Sequence, residues 1–428
     1  MTIKNPILKL ALPSVVTNIT VPLLGLVDMA IVGHMGAAEY IAAVAIGTTI
    51  FNMVYWLFGF LRMGTTGIVS QAHGAGNEQG IREALFHSLA LGGLISLGLL
   101  LMQTPLLHFS LWLMGPSGVV AQFTTTYFRV CIWGAPAMLA SYVLTGWFIG
   151  MQNTRTPMWM AILQNLLNIL CTLLFVFVFH MDIGGVALGT VVGLYGGVAY
   201  GISNLPRPFL MRGDEVEEVL SATSEHKIPT LGGVGGGLFL RTLCLVAVTI
   251  YFTMAGSRMG TLTLDANALL MQFFMVYSYF TDGLANAAEA LSGEYVGRGD
   301  RVGLLATVRS LFLWGFALAL VFTVLYAVAG TWILSLLTNQ QSVTLFARPY
   351  LPWVVAVPFV GLAAFIWDGV YIGMTLTTRM LLSTLLSAVV FFVLWFLLSP
   401  LYGNHALWFA FLSYLGTRGV IQTLLFRP

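Results

Sequence analysis

Charged side chains are scarce in this sequence. Only 8% of its 428 residues are Asp, Glu, Lys or Arg, whereas 58% are hydrophobic. Soluble domains carry about 25% charged residues, and a water-soluble chain of this length would need them to cover its surface. The composition therefore predicts a polytopic membrane protein whose surface faces lipid.

Cysteine and histidine are too sparse and too scattered to build a catalytic or metal site. The three cysteines are far apart, each within an apolar run, so they predict neither a disulfide framework nor a metal centre. Four histidines fall near the ends of apolar runs without the spacing of metal ligands, and they are His34, His73, His180 and His405. Since a paired catalytic set is also missing, we expect no enzyme, no catalytic residue and no bound metal.

Other signals are absent as well. The phosphate-binding motif GxxxxGK[ST] does not occur, and no soluble domain is present to hold it. The net charge of +2 argues against a nucleic-acid partner. The N-terminal "MTIKNPILKL" leads into an apolar stretch that is too long for a signal peptide and lacks a cleavage site, so we expect it to begin the first transmembrane helix.

Long apolar runs recur along the whole chain. A membrane span needs about 20 mostly apolar residues, and twelve runs separated by polar residues satisfy this. They cover approximately residues 7–33, 41–72, 84–106, 119–150, 157–180, 184–206, 230–256, 263–296, 303–336, 342–374, 379–399 and 404–426. The sequence therefore predicts an all-α membrane protein of twelve transmembrane helices with both termini on the same side.

Lysine and arginine are distributed unevenly between the two sides of this arrangement. If the N-terminus is cytoplasmic, the outer connections hold only Arg258. The cytoplasmic connections and tails then hold Lys4, Lys9, Arg82, Arg155, Arg207, Arg212, Lys227, Arg298, Arg301, Arg379 and Arg427. Because cytoplasmic loops are enriched in basic residues, both termini are predicted to be cytoplasmic.

The two halves of the chain repeat one another. "VSQAHGAGN" (Val69 to Asn77) and "SGEYVGRGD" (Ser292 to Asp300) match at an offset of 223 residues, and the same offset aligns "GWFIGM" with "GVYIGM". Two matches in one register predict homologous six-helix bundles of the same orientation, with substrate bound between them. We expect an N-terminal lobe at 1–206, a cytoplasmic linker at 207–229 and a C-terminal lobe at 230–428.

Asp28 is an acid inside the first predicted span. It lies about six residues from the outer end, roughly 9 Å at the rise of an α-helix, where a charge costs a few kcal/mol and marks a functional site by default. Removal from water favours the protonated acid, so Asp28 is a candidate for carrying a coupling proton. A structural ion pair with Arg62 is the alternative. Pro13 on the same helix either permits bending or forms a static kink.

The second half contains further buried ionisable groups. Asp282 and Glu289 are seven residues apart on one face of the eighth span, where Glu289 approaches water and Asp282 is deep enough to pair with Arg241. Asp368 occupies the repeat position of Thr145, so the two lobes differ chemically at equivalent places. These residues define a possible C-terminal site of Asp368, Asp282 and Arg241.

At these residues the chain resembles the multidrug and toxic compound extrusion (MATE) exporters, and most closely their DinF-like branch. The resemblance covers nearly the whole length. It rests on "VDMAIVGHMG", "SQAHGAGN", "NLLNI", "GGVALGT", "LRTLCL" and "TDGLANAAEALSGEYVGRGD". It implies a twelve-helix antiporter of two homologous six-helix bundles in the bacterial inner membrane, which uses a proton or sodium gradient to expel amphipathic, often cationic drugs.

The resemblance also implies roles for particular residues. The acid matching Asp28 carries the coupling proton, the proline matching Pro13 permits the first helix to bend, and a polar network surrounds the acid. The matching network positions are Tyr127, Asn168 and Thr190, and Thr172, one turn after Asn168 on the same face, belongs to the same candidate network. Thr172 stands where some relatives carry a second acid, which leaves Asp28 as the only buried acid of the N-terminal lobe.

A sodium site in the C-terminal lobe of the NorM-like branch pairs an acid matching Asp368 with a glutamate on the seventh helix, where this chain has Arg241 and no acid. The resemblance therefore favours proton coupling. The alternatives are a sodium-coupled exporter and a flippase for lipid-linked precursors with an anionic pyrophosphate headgroup. We expect a monomer surrounded by membrane lipid that binds small-molecule drugs and needs no cofactor except the ion gradient.

Overall fold

The computed structural model describes residues 5–116, 118–206 and 231–427. Within these ranges the chain forms helices and turns and contains no β-strand. The first half contributes α1 (Pro6–Gly33), α2 (Ala38–Leu57), α3 (Phe60–Gly74), α4 (Glu78–Leu101), α5 (Gln103–Met114), α6 (Gly118–Cys131), α7 (Ala135–Gly150), α8 (Arg155–Leu173) and α9 (Asp182–Ser203). The second half contributes α10 (Leu231–Arg258), α11 (Thr261–Arg298), α12 (Arg301–Leu337), α13 (Gln341–Ala347), α14 (Leu351–Gly373), α15 (Thr377–Tyr402) and α16 (Asn404–Leu425).

These helices confirm the predicted all-α membrane fold. Each of the twelve predicted spans coincides with one helix or with consecutive helices, and nine described segments are long and apolar enough to cross a bilayer. Three predicted spans are interrupted, at residues 58–59, 132–134 and 348–350. The predicted span 84–106 ends earlier, at Leu101, because Pro105 lies in the first turn of the separate helix α5, where its missing N–H is tolerated.

The described residues belong to two compact units. Residues 16–206 form the N-terminal unit, and residues 232–427 form the C-terminal unit together with residues 5–15. Helix α1 therefore contributes its first part to one unit and its second part to the other. The predicted linker at 207–229 lies outside the described residues.

Close helix contacts repeat between the two halves of the chain. A Cβ added to Gly146 would lie 2.3 Å from the carbonyl oxygen of Arg62, and one added to Gly369 would lie 2.4 Å from that of Ala285. Arg62 and Ala285 are separated by the same offset as the two glycines. Only glycine lets the backbones approach this closely. The two glycines therefore mark equivalent helix contacts, between α3 and α7 in the first half and between α11 and α14 in the second.

Helix starts repeat as well. The side chain of Asn77 accepts a hydrogen bond from the backbone N–H of Gly80 at 2.8 Å, and the side chain of Asp300 accepts one from Gly303 at 2.8 Å. Both caps satisfy a backbone donor in the first turn of a helix, α4 or α12, that has no partner within it. The two halves thus share local chemistry as well as sequence, which confirms the predicted duplication.

Candidate functional site

Asp28 lies in α1 within the N-terminal unit. Its residue is half-buried, but its Oδ1 atom is buried and accepts no hydrogen bond within the described part of the chain. The carboxyl group interacts with the side chain of Asn168. No ion pair of Asp28 is found among the described residues, so the alternative pairing with Arg62 is not formed. Asp28 is therefore a buried acid that faces polar neutral groups.

Asn168 is held by two threonines. The hydroxyl of Thr172 donates to Asn168 Oδ1 at 3.0 Å, and Asn168 Nδ2 donates to Thr190 Oγ1 at 3.3 Å. The Thr190 hydroxyl in turn donates to the carbonyl oxygen of Val186 at 3.2 Å. Because Thr172 occupies the amide oxygen, the amide nitrogen is the group that remains for the Asp28 carboxylate.

Glycines on α9 bring these polar groups together. A Cβ added to Gly189 would lie 2.2 Å from Thr172 Oγ1 and 2.8 Å from its backbone nitrogen. A Cβ added to Gly193 would lie 2.6 Å from the carbonyl oxygen of Gln164. Small residues four apart form a groove on α9 that accepts α8, and this close packing places Asn168 and Thr172 against Thr190.

Tyr127 comes to the same place from α6. Its ring lies directly on Gly47 of α2, where an added Cβ would be 2.3 Å from the ring. Its hydroxyl interacts with the side chains of Thr48 and Cys131, and both Tyr127 and Cys131 are close enough to Asp28 to sense its charge. The packing of α6 on α2 therefore adds Tyr127 to the polar groups around the acid.

The N-terminal unit thus brings together Asp28 with the four network residues that the sequence singled out. Asn165, one turn before Asn168, also binds α1, because its Nδ2 donates to the carbonyl oxygen of Thr20 at 3.0 Å. Pro13 lies nearer the N-terminal end of the same helix, in the part of α1 that belongs to the C-terminal unit.

A second cluster in the C-terminal unit is ionic. Asp368 of α14 pairs with Arg241 of α10 through its Oδ2 atom, and Arg418 of α16 lies 3.3 Å from the same oxygen. The Nε2 group of Gln422 donates to Asp368 Oδ1 at 2.8 Å. All four residues are buried. Both carboxylate oxygens of Asp368 are therefore occupied by donors from the chain itself.

Asp282 lies at the edge of this cluster. It is half-buried on α11, receives a long hydrogen bond of 3.4 Å from the Ser278 hydroxyl and is close enough to Arg418 to sense its charge. Arg241 forms an ion pair with Asp368, whereas the sequence offered Asp282 as one alternative partner. Glu289, expected to approach water, is buried at 2% exposure.

Arg418 and Gln422 were missed by sequence reasoning. An arginine inside the apolar run of the last span, in "GTRGVIQ", was a signal of the same kind as Arg241. Within the described ranges, no group of three or more His, Cys, Asp or Glu side chains that could hold a metal ion comes together. Among the described residues, the two acids singled out above therefore differ: Asp28 has no ionic partner, whereas both oxygens of Asp368 are ligated.

Comparisons with known proteins agree with this architecture. The sequence model of the MatE family matches residues 13–174 and 238–397. The chain is 36% identical over 422 residues to DNA damage-inducible protein F of Escherichia coli (strain K12), covering 98% of this chain and 91% of that protein. It is 23% identical to a probable multidrug resistance protein NorM of Photorhabdus laumondii, covering 78% of this chain and 74% of that protein. A crystal structure of a mutant of the Vibrio cholerae MATE transporter VcmN is similar in fold, with a TM-score of 0.85, 20% identity and coverage of 98% and 95% of the two chains.

Proposed function

The chain belongs to the MatE family of efflux transporters, and from this premise we propose that it is a proton-coupled multidrug antiporter. It exports amphipathic, often cationic small molecules across the bacterial inner membrane by alternating access, with both termini in the cytoplasm. The relatives named as multidrug resistance proteins support drugs as the class of substrate. The gradient supplies the energy, and no cofactor is needed.

The environment of Asp28 carries the proposal for the proton. A buried carboxylate without an ionic partner is neutralised most easily by a proton, because the desolvation cost of the neutral acid is smaller than that of the carboxylate. The amide of Asn168 offers a polar contact to either protonation state of Asp28, and the Tyr127 hydroxyl lies close enough to sense its charge. An acid that keeps polar contacts in both states while burial favours the protonated one is suited to binding a proton on one side and releasing it on the other.

Thr172 supports a proton in preference to sodium at this site. Sodium and other hard cations are held by several oxygen ligands, preferably charged ones. Within the N-terminal unit, the neighbour of Asn168 on the next turn is a threonine whose hydroxyl is already donated to Asn168. The polar groups around Asp28 therefore include only one carboxylate as a ligand for a cation. A proton needs only one carboxylate to bind.

Energy from a proton is sufficient for export. A proton crossing a potential of 100 mV contributes about 2.3 kcal/mol, and each unit of pH difference contributes about 1.4 kcal/mol. One or two protons can thus sustain roughly a 10- to 1,000-fold gradient of substrate.

Efflux from proteoliposomes with the two gradients imposed separately tests this function. We expect a cationic dye to be expelled when a proton gradient is imposed and not when only a sodium gradient is imposed. Export driven by sodium alone would replace the proton with sodium as the coupling ion. Binding of polyprenyl pyrophosphate without any movement of dye would favour a lipid-precursor flippase.

A further inference from the structure

The carboxylate of Asp368 is fully ligated by the protein. Oδ2 receives Arg241 and lies 3.3 Å from an Nη2 atom of Arg418, and Oδ1 receives the amide of Gln422 at 2.8 Å. The ligands come from two helices, α10 and α16. A carboxylate presents about four acceptor positions, so the three donors leave little room for an incoming ion.

The two arginines are permanent ligands. Arg241 is 5% and Arg418 is 4% exposed. The guanidinium of Arg418 also lies over the rings of Phe365 and Tyr414, at 5.9 Å and 5.6 Å from their centroids. Arginine stays protonated inside proteins, and the planar group stacked on aromatic rings cannot leave without losing these contacts. The positive charge at Asp368 is therefore always present.

The equivalent places in the N-terminal unit carry no charge. At the repeat offset, Asp368 corresponds to Thr145, and the basic and amide partners correspond to neutral side chains as well. Those counterparts are Asn18 for Arg241, Tyr195 for Arg418 and Ala199 for Gln422. Conversely, Asp28 corresponds to Tyr251 at the same offset, a neutral residue whose ring packs against Phe391 and Phe392. Asp28 and Asp368 thus each stand where the other half has a neutral side chain, and of these two acids only Asp368 has ionic partners among the described residues.

We propose that Asp368 is a cation site whose cation is supplied by the protein itself, in the form of the Arg241 and Arg418 guanidinium groups. The C-terminal unit then takes up neither a proton nor a metal cation during transport, and Asp28 remains the single coupling acid. Asp282 balances the second guanidinium from the edge of the cluster. The role of Asp28 as the single coupling acid rests on the proposed proton antiport. The occupation of Asp368 by the two arginines does not depend on that function.

Thermal unfolding of the purified protein in detergent tests the site directly. A ligand that binds only the folded state raises Tm in proportion to its binding. We expect the Tm of the wild type to be the same in sodium chloride and in choline chloride of equal ionic strength. In the Arg241→Gln/Arg418→Gln variant the carboxylate is released, and we expect Tm to rise by a few degrees either in sodium chloride, which identifies sodium as the ligand, or on mild acidification, which identifies the proton.

Adding Asp368→Asn to that variant provides the matched control and should remove the rise. A sodium-dependent rise in the wild type that disappears in Asp368→Asn would overturn the proposal, because the site would then accept a cation beside the arginines. A folded double variant that responds to neither sodium nor acid would also overturn it, since the released carboxylate would not be a cation site.

A neutral triple variant decides the matter if the double variant does not fold. Arg241→Gln, Asp368→Asn and Arg418→Gln together remove every charge of the core cluster while retaining hydrogen-bonding groups, and such complete replacements are tolerated where removal of one partner is not. We expect this protein to build the same substrate gradient from a proton gradient as the wild type. Loss of export in the folded triple variant would show that the cluster takes part in coupling. A wild type that exports nothing under a proton gradient would refute the proposed function instead, while the sodium comparison would still decide the site.

Discussion

Two buried acids in this protein have opposite surroundings, and the surroundings decide their chemistry. Asp368 is held by guanidinium and amide donors, so its charge is stabilised permanently. Asp28 faces neutral side chains and keeps one oxygen without a hydrogen bond in the described structure. An ionised Asp28 is therefore costly, and a proton removes that cost.

The substitution Asp28→Asn should abolish export driven by a proton gradient. The asparagine has nearly the same shape and can still contact Asn168, so the fold is retained, but it cannot bind a proton. If one proton is exchanged per substrate, the wild type should sustain about a tenfold gradient of dye for each unit of pH difference, and the variant none. Dye accumulation in proteoliposomes measures this.

The control is Asp265→Asn, the same change at an exposed acid of α11. It should leave the dye gradient as in the wild type. A folded Asp28→Asn protein that builds the full gradient would show that another residue carries the proton.

Among the helices, α9 shows how packing creates the site. Five glycines recur every four residues along it, and they are Gly185, Gly189, Gly193, Gly197 and Gly201. Each would place a Cβ within about 3 Å of a neighbouring helix or turn. The stripe lets α8 lie close to α9, and the polar face of α8 is brought to Asp28 by that approach.

Gly189→Ala should disturb the site without touching any polar residue. The new methyl group would meet both the hydroxyl and the backbone nitrogen of Thr172, so α8 must move and carry Asn168 with it. Overpacking of this kind costs about 1–3 kcal/mol. We expect a lower Tm in detergent and slower proton-driven export.

Gly184→Ala is the matched control, since it lies on the same helix and has nothing within 4 Å of its added Cβ. It should leave Tm unchanged or slightly raised, because alanine favours helix more than glycine does. Equal effects of the two substitutions would contradict the role of close packing at Gly189.

At the scale of the whole molecule, the two duplicated halves share backbone features but differ in the positions of their buried acids. The caps at Asn77 and Asp300 and the glycine contacts at Gly146 and Gly369 are the same in both halves. The buried acids are not, since Asp28 and Asp368 stand at places that are unrelated by the repeat. Among the described residues, Asp28 in one half therefore has no ionic partner, while Asp368 in the other half is paired with two arginines.

The orientation of the chain is testable by labelling of single cysteines. After replacement of the three native cysteines, Ser257→Cys should react in intact cells with a maleimide that does not cross membranes. Glu78→Cys should react only after the membrane is permeabilised. Both positions are exposed, so a difference reports the side of the membrane. The opposite pattern would place the termini outside.

Much of the fold follows from the sequence because hydropathy acts locally along the chain. Every predicted span coincides with helix, since a backbone in lipid must satisfy its own hydrogen bonds. The breaks within spans were not predicted, because a single turn of 3₁₀ helix at 132–134 or 348–350 leaves the hydropathy of the run unaltered. At the site, the residues around Asp28 were found through family resemblance, whereas Arg418 was not, because its partner is 50 residues away in Asp368.

By itself, the sequence determined that this chain crosses the membrane repeatedly, that its two halves are duplicated, and that Asp28 is an acid in an apolar helix. These properties depend on composition and on short-range pattern. Only the tertiary structure decided that Asp28 faces Asn168 and not Arg62, and that Asp368 is enclosed by Arg241 and Arg418. The physical reason is that the charge state of a buried acid depends on which distant side chains the packed helices bring within a few ångströms of it.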